Sequence, residues 1–275
     1  MSEPLACYID GRPADSVPVQ DRGLQYGDGV FTTVAIKAGT PLLWERHLQR
    51  LQRDIARLGI APIAPEVLQD EIERVCRGVA RATLKIFITR GAGSRGYRPP
   101  AEGSMRRIVT LWPRAPQAAN ASDGIAVRLC RARLSRNPLL AGIKHLNRLE
   151  QVLARAEWGD DYAEGLMQDT TGMIIEGTMT NVFLVREGEL LTPDLSQCGV
   201  AGVMREEVLE RAHAANIPSR VSEMPLTVVQ AADEIFVTNS LIGIWPIRHF
   251  ETKEYRIGPI TRTLQAAIVG AHDGV

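Results

Sequence analysis

Lysine is scarce in this chain of 275 residues. Of its 32 basic side chains only four are lysines, Lys37, Lys85, Lys144 and Lys253, and all the others are arginines. Arginine has therefore sufficed wherever only a positive charge was needed. The pattern raises the question of why an amine stands at these few positions, and at position 144 in particular.

Several other features are missing as well. The formal net charge is zero and no block of like charge occurs, which argues against a nucleic-acid or membrane surface as partner. The four cysteines lie far apart, without the close pairs of a zinc site or the density of a disulfide scaffold. No apolar stretch is long enough to span a bilayer, and no basic segment followed by an apolar run begins the chain. We therefore expect a cytoplasmic protein that acts on a small molecule.

The length and the 45% hydrophobic content allow a full core divided between two domains. Strand and helix patterns alternate on both sides of a polar, alanine-rich stretch, which predicts two α+β or α/β domains. We place a small α+β domain at residues 1–113, a linker at 114–124 and a larger domain at 125–275.

Two patterns in the first domain bear on the later argument. Leu48, Leu51, Ile55 and Leu58 recur at spacings of three and four, which predicts a helix with one apolar face. The stretch ATLKIFITR alternates, so Leu84, Ile86 and Ile88 should share one face of a strand, and Lys85 should lie on the other. Lys85 is therefore interpreted as a strand-face residue and not as a reactive amine.

The stretch GAGSRG, residues 91–96, fits the glycine pattern of a dinucleotide-binding turn. That turn requires a helix starting inside the motif, whereas two prolines follow here and stop any helix. We interpret the stretch as a loop that presents Arg95, Tyr97 and Arg98, or as a plain solvated turn.

No nucleophile elbow, phosphate-binding P-loop or zinc-protease motif occurs, and no two histidines have a helical metal-binding spacing, so neither a hydrolase nor a metal site is expected. The stretch QCGVAGVMREEV is more informative, because two glycines lead into a helix. The backbone N–H groups of Val203 and Met204 could bind an anion such as a phosphate there. A tight turn capped by glycine is the alternative.

Lys144 precedes an amphipathic helix pattern and follows the apolar stretch NPLLAGI. A solvated lysine is the ordinary interpretation. An apolar setting, however, lowers the pKa of an amine and makes it nucleophilic, and a carbonyl partner that forms a Schiff base removes the cost of desolvation.

Taken together, these segments resemble the fold-type IV enzymes that use pyridoxal 5'-phosphate, and within them the aminodeoxychorismate lyases of folate synthesis. The resemblance covers nearly the whole chain. It implies a two-domain fold with the active site between the domains, and a homodimer. The segments that carry it are DRGLQYGDGVFTT (21–33), RHLQRLQ (46–52), SRGY (94–97), KHLNRLEQVLARAE (144–157), IIEGTMTNVF (174–183) and GVAGVMRE (199–206).

The resemblance implies a role for each matching residue. Lys144 would hold the cofactor and shuttle a proton, and Glu176 would face the pyridine nitrogen and keep it protonated. Thr33 would handle the leaving group. The remaining implied contacts are with the cofactor phosphate, from Arg46, Val203, Met204, Asn239 and Ser240, and with the substrate, from Arg95, Tyr97 and Tyr26.

The implied reaction is elimination on 4-amino-4-deoxychorismate, which yields 4-aminobenzoate and pyruvate. An aminotransferase acting on D-amino or branched-chain amino acids shares the same cofactor machinery and is the alternative within this chemistry. A nucleotide-binding or purely structural protein is the alternative from another class.

Overall fold

The computed structural model describes residues 3–100, 105–114 and 118–273. The chain forms two compact units. The first comprises Met1–Ala115 together with Lys144–Asn147, and the second comprises Pro116–Ile143 and Arg148–Val275. The short segment Lys144–Asn147, which the sequence analysis placed in the second domain, groups with the first unit because its backbone pairs with a strand there.

The first unit contains a six-stranded sheet with the strand order β2-β1-β6-β5-β3-β4, in which every neighbouring pair is antiparallel. Its strands are β1 (Ala6–Ile9), β2 (Arg12–Pro13), β3 (Gly29–Lys37), β4 (Thr40–Pro41), β5 (Arg81–Thr89) and β6 (Arg106–Pro113). Its helices are α1 (Arg22–Tyr26), α2 (Trp44–Arg57) and α3 (Pro65–Cys76).

The two faces of this sheet differ sharply. Residues at alternate positions, among them Val30, Val34, Leu84, Ile86 and Ile88, are 0% exposed, so they form the core on the helix-covered face. The predicted alternation of β5 is therefore confirmed. Phe31, Thr33, Lys85 and Phe87 occupy intervening positions, are half-buried and lie on the second face of the sheet.

Helix α2 packs against β3 through the face that the sequence predicts. Leu48, Leu51 and Ile55 are buried, and Gly59 follows the end of the helix with a φ of 62°. That positive φ suits glycine, which has no Cβ to oppose it.

The second unit contains a nine-stranded sheet with the order β12-β11-β10-β13-β14-β7-β8-β9, in which β15 pairs with β14. Strand β9 also pairs with β10, so six strands from β10 round to β9 close into a barrel-like ring. The strands are β7 (Ile125–Leu134), β8 (Glu164–Asp169), β9 (Ile174–Gly177), β10 (Asn181–Arg186), β11 (Glu189–Pro193), β12 (Ser219–Ser222), β13 (Glu234–Asn239), β14 (Gly243–Phe250) and β15 (Lys253–Glu254).

Five helices accompany this sheet. Helix α4 lies inside the predicted linker, of which residues 115–117 fall outside the described residues. Helix α5 packs on β7 and β8, while α6 and α8 pack on each other and on β13. The helices are α4 (Ala118–Asp123), α5 (Leu149–Arg155), α6 (Val203–Ala214), α7 (Leu226–Gln230) and α8 (Pro259–Asp273).

Within the described residues, no helix combines the length and the apolar character needed to cross a membrane. The same residues hold no group of three or more His, Cys, Asp or Glu side chains placed to bind a metal ion.

Candidate active site

The segment that carries Lys144 runs antiparallel to the start of β3. Val30 and His145 form a bridge, and Phe31 N donates to Lys144 O at 3.0 Å. On the other side, Lys144 N donates to Asp54 Oδ2 on α2 at 3.0 Å. Both backbone groups of Lys144 are therefore fixed by the first unit.

The Lys144 side chain lies over an aromatic ring. Its Nζ is 4.5 Å from the centroid of Phe31, and the side chain is half-buried. An aromatic face stabilises an ammonium ion and also provides the apolar surface that partly desolvates an amine. The amine of Lys144 therefore lies against the face of an apolar ring.

A buried polar cluster on α2 lies near Lys144. Arg50 Nη2 donates to Thr32 Oγ1 at 2.6 Å, and Thr32 Oγ1 is 2.6 Å from His47 Nδ1. Because a guanidinium can only donate, the Thr32 hydroxyl accepts from Arg50, and the hydrogen between Thr32 Oγ1 and His47 Nδ1 can belong to either atom, depending on the histidine tautomer. Burial, followed by the charges of Arg50 and Lys144, holds the pKa of His47 well below 6.5.

This cluster contains donors suited to an anion. His47 Nε2 is buried without a hydrogen-bond partner among the described residues. Arg50 is 6% exposed. Arg46, the arginine that the sequence resemblance assigned to a phosphate, lies one helical turn earlier and is half-buried. Sequence reasoning missed Arg50 and His47, although both lie on the face of α2 that the hydrophobic spacing marks as buried.

Thr33 lies on the second face of the sheet, the same side as Phe31. The register places Thr33 directly opposite Lys85 and places Phe31 opposite Phe87. Lys85 Nζ is 5.8 Å from the Phe31 centroid. The amines of Lys85 and Lys144 thus both lie over the Phe31 ring, and Thr33 lies two residues further along β3 on the same face.

Residues 91–100, which contain the GAGSRG stretch, form no helix, so the stretch lacks the helix start that a dinucleotide-binding turn requires. Buried Arg22 holds the loop by donating to the carbonyl oxygens of Gly96 and Tyr97, each at 3.0 Å. Gly96 N donates to Tyr26 Oη at 3.2 Å, and the Tyr26 and Tyr97 rings meet edge to face at 5.5 Å. Arg95 is exposed at the tip. Three predicted substrate-binding residues therefore occur in one anchored loop region.

The GDG motif that precedes β3 has a steric explanation. Gly27 has a φ of 64°, and a Cβ there would lie 2.4 Å from Asn147 Oδ1. Asn147 Nδ2 donates back to Gly27 O at 3.1 Å. Glycine at this position therefore permits the close approach of the segment that carries Lys144.

In the second unit, Glu176 lies on β9 with 4% of its surface exposed. Its Oε2 accepts from Val200 N at 2.8 Å and its Oε1 accepts from Gln151 Nε2 at 3.4 Å. Burial lowers the pKa of Arg148, and the nearby Glu176 carboxylate opposes that shift. Glu176 is a buried carboxylate with fixed orientation, and its support by Gln151 was not foreseen from the sequence.

Val203 and Met204 begin α6, as predicted for the anion-binding interpretation. Gly202 is the N-cap residue of this helix, and among the described residues no side chain caps it. A Cβ on Gly202 would lie 2.0 Å from Asn181 Oδ1, and Asn181 Nδ2 donates to Val200 O at 2.8 Å. The glycine therefore lets the loop pack closely enough to leave the first helical N–H groups available to an acceptor.

The predicted cofactor residues Asn239 and Ser240 lie where β13 ends in a turn. Asn239 Oδ1 accepts from Leu241 N at 2.8 Å and from Ile242 N at 3.0 Å. Asn239 Nδ2 donates to Met179 O at 3.2 Å. The Asn239 side chain therefore shapes the turn that carries Ser240.

Comparison with known proteins identifies the class. The model of the class IV aminotransferase family matches residues 29–250, and the chain belongs to this family. The predicted fold-type IV class with mixed α and β structure is confirmed, and the barrel-like sheet is a feature that the sequence analysis did not predict.

Within this family the chain is similar to two lyases along almost its entire length. It is 37% identical to the aminodeoxychorismate lyase of Vibrio harveyi over 94% of this chain and 97% of that protein. The crystal structure of 4-amino-4-deoxychorismate lyase from Pseudomonas aeruginosa superimposes with a TM-score of 0.93 at 47% identity, covering 96% of this chain and 98% of that one. The crystal structure of the branched-chain amino acid aminotransferase of Escherichia coli superimposes with a TM-score of 0.85 at 25% identity, covering 98% of this chain and 94% of that one.

Proposed function

We propose that this protein is an aminodeoxychorismate lyase, which converts 4-amino-4-deoxychorismate into 4-aminobenzoate and pyruvate. The observation that carries the proposal is the similarity to two lyases at 37% and 47% identity over nearly the whole chain, against 25% to 31% for relatives named as branched-chain aminotransferases. The motifs GDGVFTT and KHLNRLE, on which the sequence resemblance depends, are the two segments whose backbones pair beside Lys144.

The chain's own residues fit pyridoxal 5'-phosphate as the cofactor. In the first unit the buried Arg50 guanidinium is suited to a phosphate, and in the second unit so is the start of α6, which no described side chain caps. The partly desolvated amine of Lys144 fits an aldehyde, and the buried carboxylate of Glu176 fits a protonated ring nitrogen. As part of the proposal, the residues that contact the phosphate are Arg46, Arg50, Val203, Met204 and Ser240, with Asn239 shaping the turn.

Pyridoxal phosphate supplies an electron-withdrawing ring that stabilises negative charge on the substrate carbon. Lys144 Nζ takes the proton from the amine-bearing ring carbon of the substrate and holds it as an ammonium. The Phe31 ring under Nζ stabilises that ammonium. Asp54 and Phe31 hold the Lys144 backbone, so the amine moves only through its side chain.

Thr33 and Lys144 Nζ both lie on the Phe31 side of the first sheet, and either is proposed to donate a proton to the departing enolpyruvyl group. Arg95, Tyr97 and Tyr26 are proposed to contact the substrate carboxylates. Arg22 and the Tyr26 hydroxyl fix the loop backbone in advance, which reduces the entropy lost on binding.

We also propose that the enzyme is a cytoplasmic homodimer. On helix α5 the apolar side chains of Leu149, Val152 and Leu153 are 74%, 59% and 64% exposed, whereas the polar Gln151 is buried. This is the reverse of the usual distribution of apolar and polar residues on a helix. Contact with a second copy would bury these side chains. Light scattering should give twice the 30.2 kDa of one chain, and Leu153→Glu should reduce it.

The test is to incubate purified holoenzyme with aminodeoxychorismate and to measure 4-aminobenzoate and pyruvate together. Equimolar formation of both supports the proposal. The control is the same protein with D-alanine or branched-chain amino acids, which an aminotransferase would use to convert its cofactor to the pyridoxamine form. Cofactor conversion without either product would favour the aminotransferase and overturn the lyase.

A further inference from the structure

The buried carboxylate of Glu164, the first residue of β8, has no part in the chemistry described above. Glu164 is 0% exposed, and its two oxygens accept five hydrogen bonds. One comes from Gly165 N at 2.9 Å. The other four come from the turn between β9 and β10, and the donors are Thr178 N at 3.0 Å, Thr178 Oγ1 at 2.5 Å, Met179 N at 3.2 Å and Thr180 Oγ1 at 2.9 Å. A buried carboxylate is stable only where its oxygens are hydrogen-bonded, so Glu164 and this turn hold each other in place.

The turn held by Glu164, residues 178–180, is connected to the proposed phosphate contact Ser240. Met179 N donates to Glu164, while Met179 O accepts from Asn239 Nδ2 at 3.2 Å. The other end of the Asn239 amide, Oδ1, accepts from the two backbone N–H groups that follow Ser240. The backbone around Ser240 is therefore anchored to Glu164 through one residue of the turn and one amide side chain.

The same turn is also connected to the start of α6, the second proposed phosphate contact. Glu176 and Asn181 flank the turn and pair across β9 and β10. Val200 N donates to Glu176 Oε2 at 2.8 Å, and Asn181 Nδ2 donates to Val200 O at 2.8 Å. Val200 lies just before Gly202, the N-cap residue of α6. The turn at residues 178–180 therefore supports both backbone segments.

We infer that Glu164 is a positioning residue that keeps both segments in the geometry that binds the cofactor phosphate. It acts through the turn and not by contact with a ligand, because it is fully buried and both of its oxygens already accept from donors of this chain. The inference rests on the proposed function, which supplies a cofactor with a phosphate group. A glutamine at this position has one acceptor oxygen instead of two, and its NH2 group would face other donors, so it cannot hold the turn in the same way.

The test compares two aldehydes, pyridoxal 5'-phosphate and 5-deoxypyridoxal, which has the same ring and aldehyde without the phosphate. Each is titrated into the cofactor-free protein, and binding is followed by the change in absorbance. Glu164→Gln should weaken pyridoxal phosphate about 10-fold or more, as expected when a charged hydrogen bond no longer orients a binding group, and weaken 5-deoxypyridoxal no more than about threefold. A merely structural role would weaken both aldehydes alike.

Two further variants complete the comparison. Thr180→Val removes one donor to Glu164 Oε2 and keeps the shape of a buried side chain, so it should shift the preference in the same direction by a smaller factor, and it replaces Glu164→Gln if that variant fails to fold. Glu234→Gln is the matched control, because Glu234 is a second buried carboxylate of the same unit, whose oxygens accept from Ile260 N, Thr261 N and Thr261 Oγ1 at the start of α8. This variant should lower the melting temperature without changing the affinity for either aldehyde.

An unchanged preference for pyridoxal phosphate over 5-deoxypyridoxal in a folded Glu164→Gln or Thr180→Val protein would overturn the inference, and so would an equal loss of preference in Glu234→Gln. These titrations use no substrate. Failure of wild-type holoenzyme to form 4-aminobenzoate and pyruvate would instead count against the proposed function, and the two failures are therefore distinguishable.

Discussion

Arg50 should contribute more to cofactor binding than Arg46, which lies one helical turn before it on α2. Arg50 is 6% exposed and donates to Thr32 Oγ1 at 2.6 Å, so its guanidinium is already oriented and desolvated. A buried charged hydrogen bond contributes about 1.5–3 kcal/mol, whereas a solvent-accessible charge pair contributes about 0–1 kcal/mol. Arg50→Gln should therefore weaken pyridoxal phosphate about 10- to 150-fold, and Arg46→Gln no more than about fivefold.

The assay is titration of the cofactor-free protein with pyridoxal phosphate, followed by the change in absorbance. Arg57→Gln is the control, because Arg57 is exposed in the last turn of the same helix. Thermal melting of the cofactor-free variants checks that they fold. A larger loss of affinity for Arg46→Gln than for Arg50→Gln would refute the reasoning from burial. It would instead support Arg46, the arginine that the sequence resemblance indicates, as the main contact of the phosphate.

Three further predictions concern other parts of the site. The pKa of His47 in the folded protein lies well below its unfolded value of 6.5, so below pH 6.5 the unfolded chain binds a proton that the folded protein does not. The free energy of unfolding should therefore fall by about 1.4 kcal/mol per pH unit as the pH drops below 6.5. Urea unfolding of the wild type and of His47→Gln should show this pH dependence only in the wild type. Glu176→Gln should retain cofactor but lose about 100-fold or more in turnover, because a neutral amide no longer favours a cationic ring nitrogen, and unchanged turnover would mean that another carboxylate acts there. Gly202→Ala should weaken the cofactor in the same titration, since its Cβ would meet Asn181 Oδ1 at 2.0 Å, whereas Gly159→Ala, with open space around its Cβ, should not.

Helix α2 shows how far sequence reasoning reached. The spacing of Leu48, Leu51 and Ile55 predicts which face is buried, and the structure confirms it. That same spacing places His47 and Arg50 on the buried face, but a hydrophobic pattern gives no weight to polar residues within it. Their role depends on Thr32, which comes from a strand rather than from the helix.

The surroundings of Lys144 could not be derived from local pattern. Its apolar context predicts a partly desolvated amine, whereas the aromatic ring beneath it comes from a strand more than 100 residues earlier. Alternation predicts that Lys85 lies on the face of β5 opposite to Leu84, Ile86 and Ile88. Only the pairing of β3 with β5 brings Lys85 to the Phe31 ring. Contacts of this kind depend on strand register, which short segments do not specify on their own.

Helix α5 departs from the amphipathic pattern for a reason that concerns function. Leucines 149 and 153 are exposed, while the polar Gln151 is buried. Gln151 faces inward because its amide donates to Glu176. A residue that supports a functional carboxylate thus occupies the position where the periodicity would place an apolar side chain.

Borohydride reduction of the purified holoenzyme, followed by digestion and mass spectrometry, tests most directly whether Lys144 is the reactive amine around which the site is built. We predict that the reduced cofactor is attached to the peptide containing Lys144, and that Lys144→Ala abolishes both the attachment and the formation of 4-aminobenzoate. Attachment at Lys85 or another lysine, or a fully active Lys144→Ala protein, would contradict the assignment.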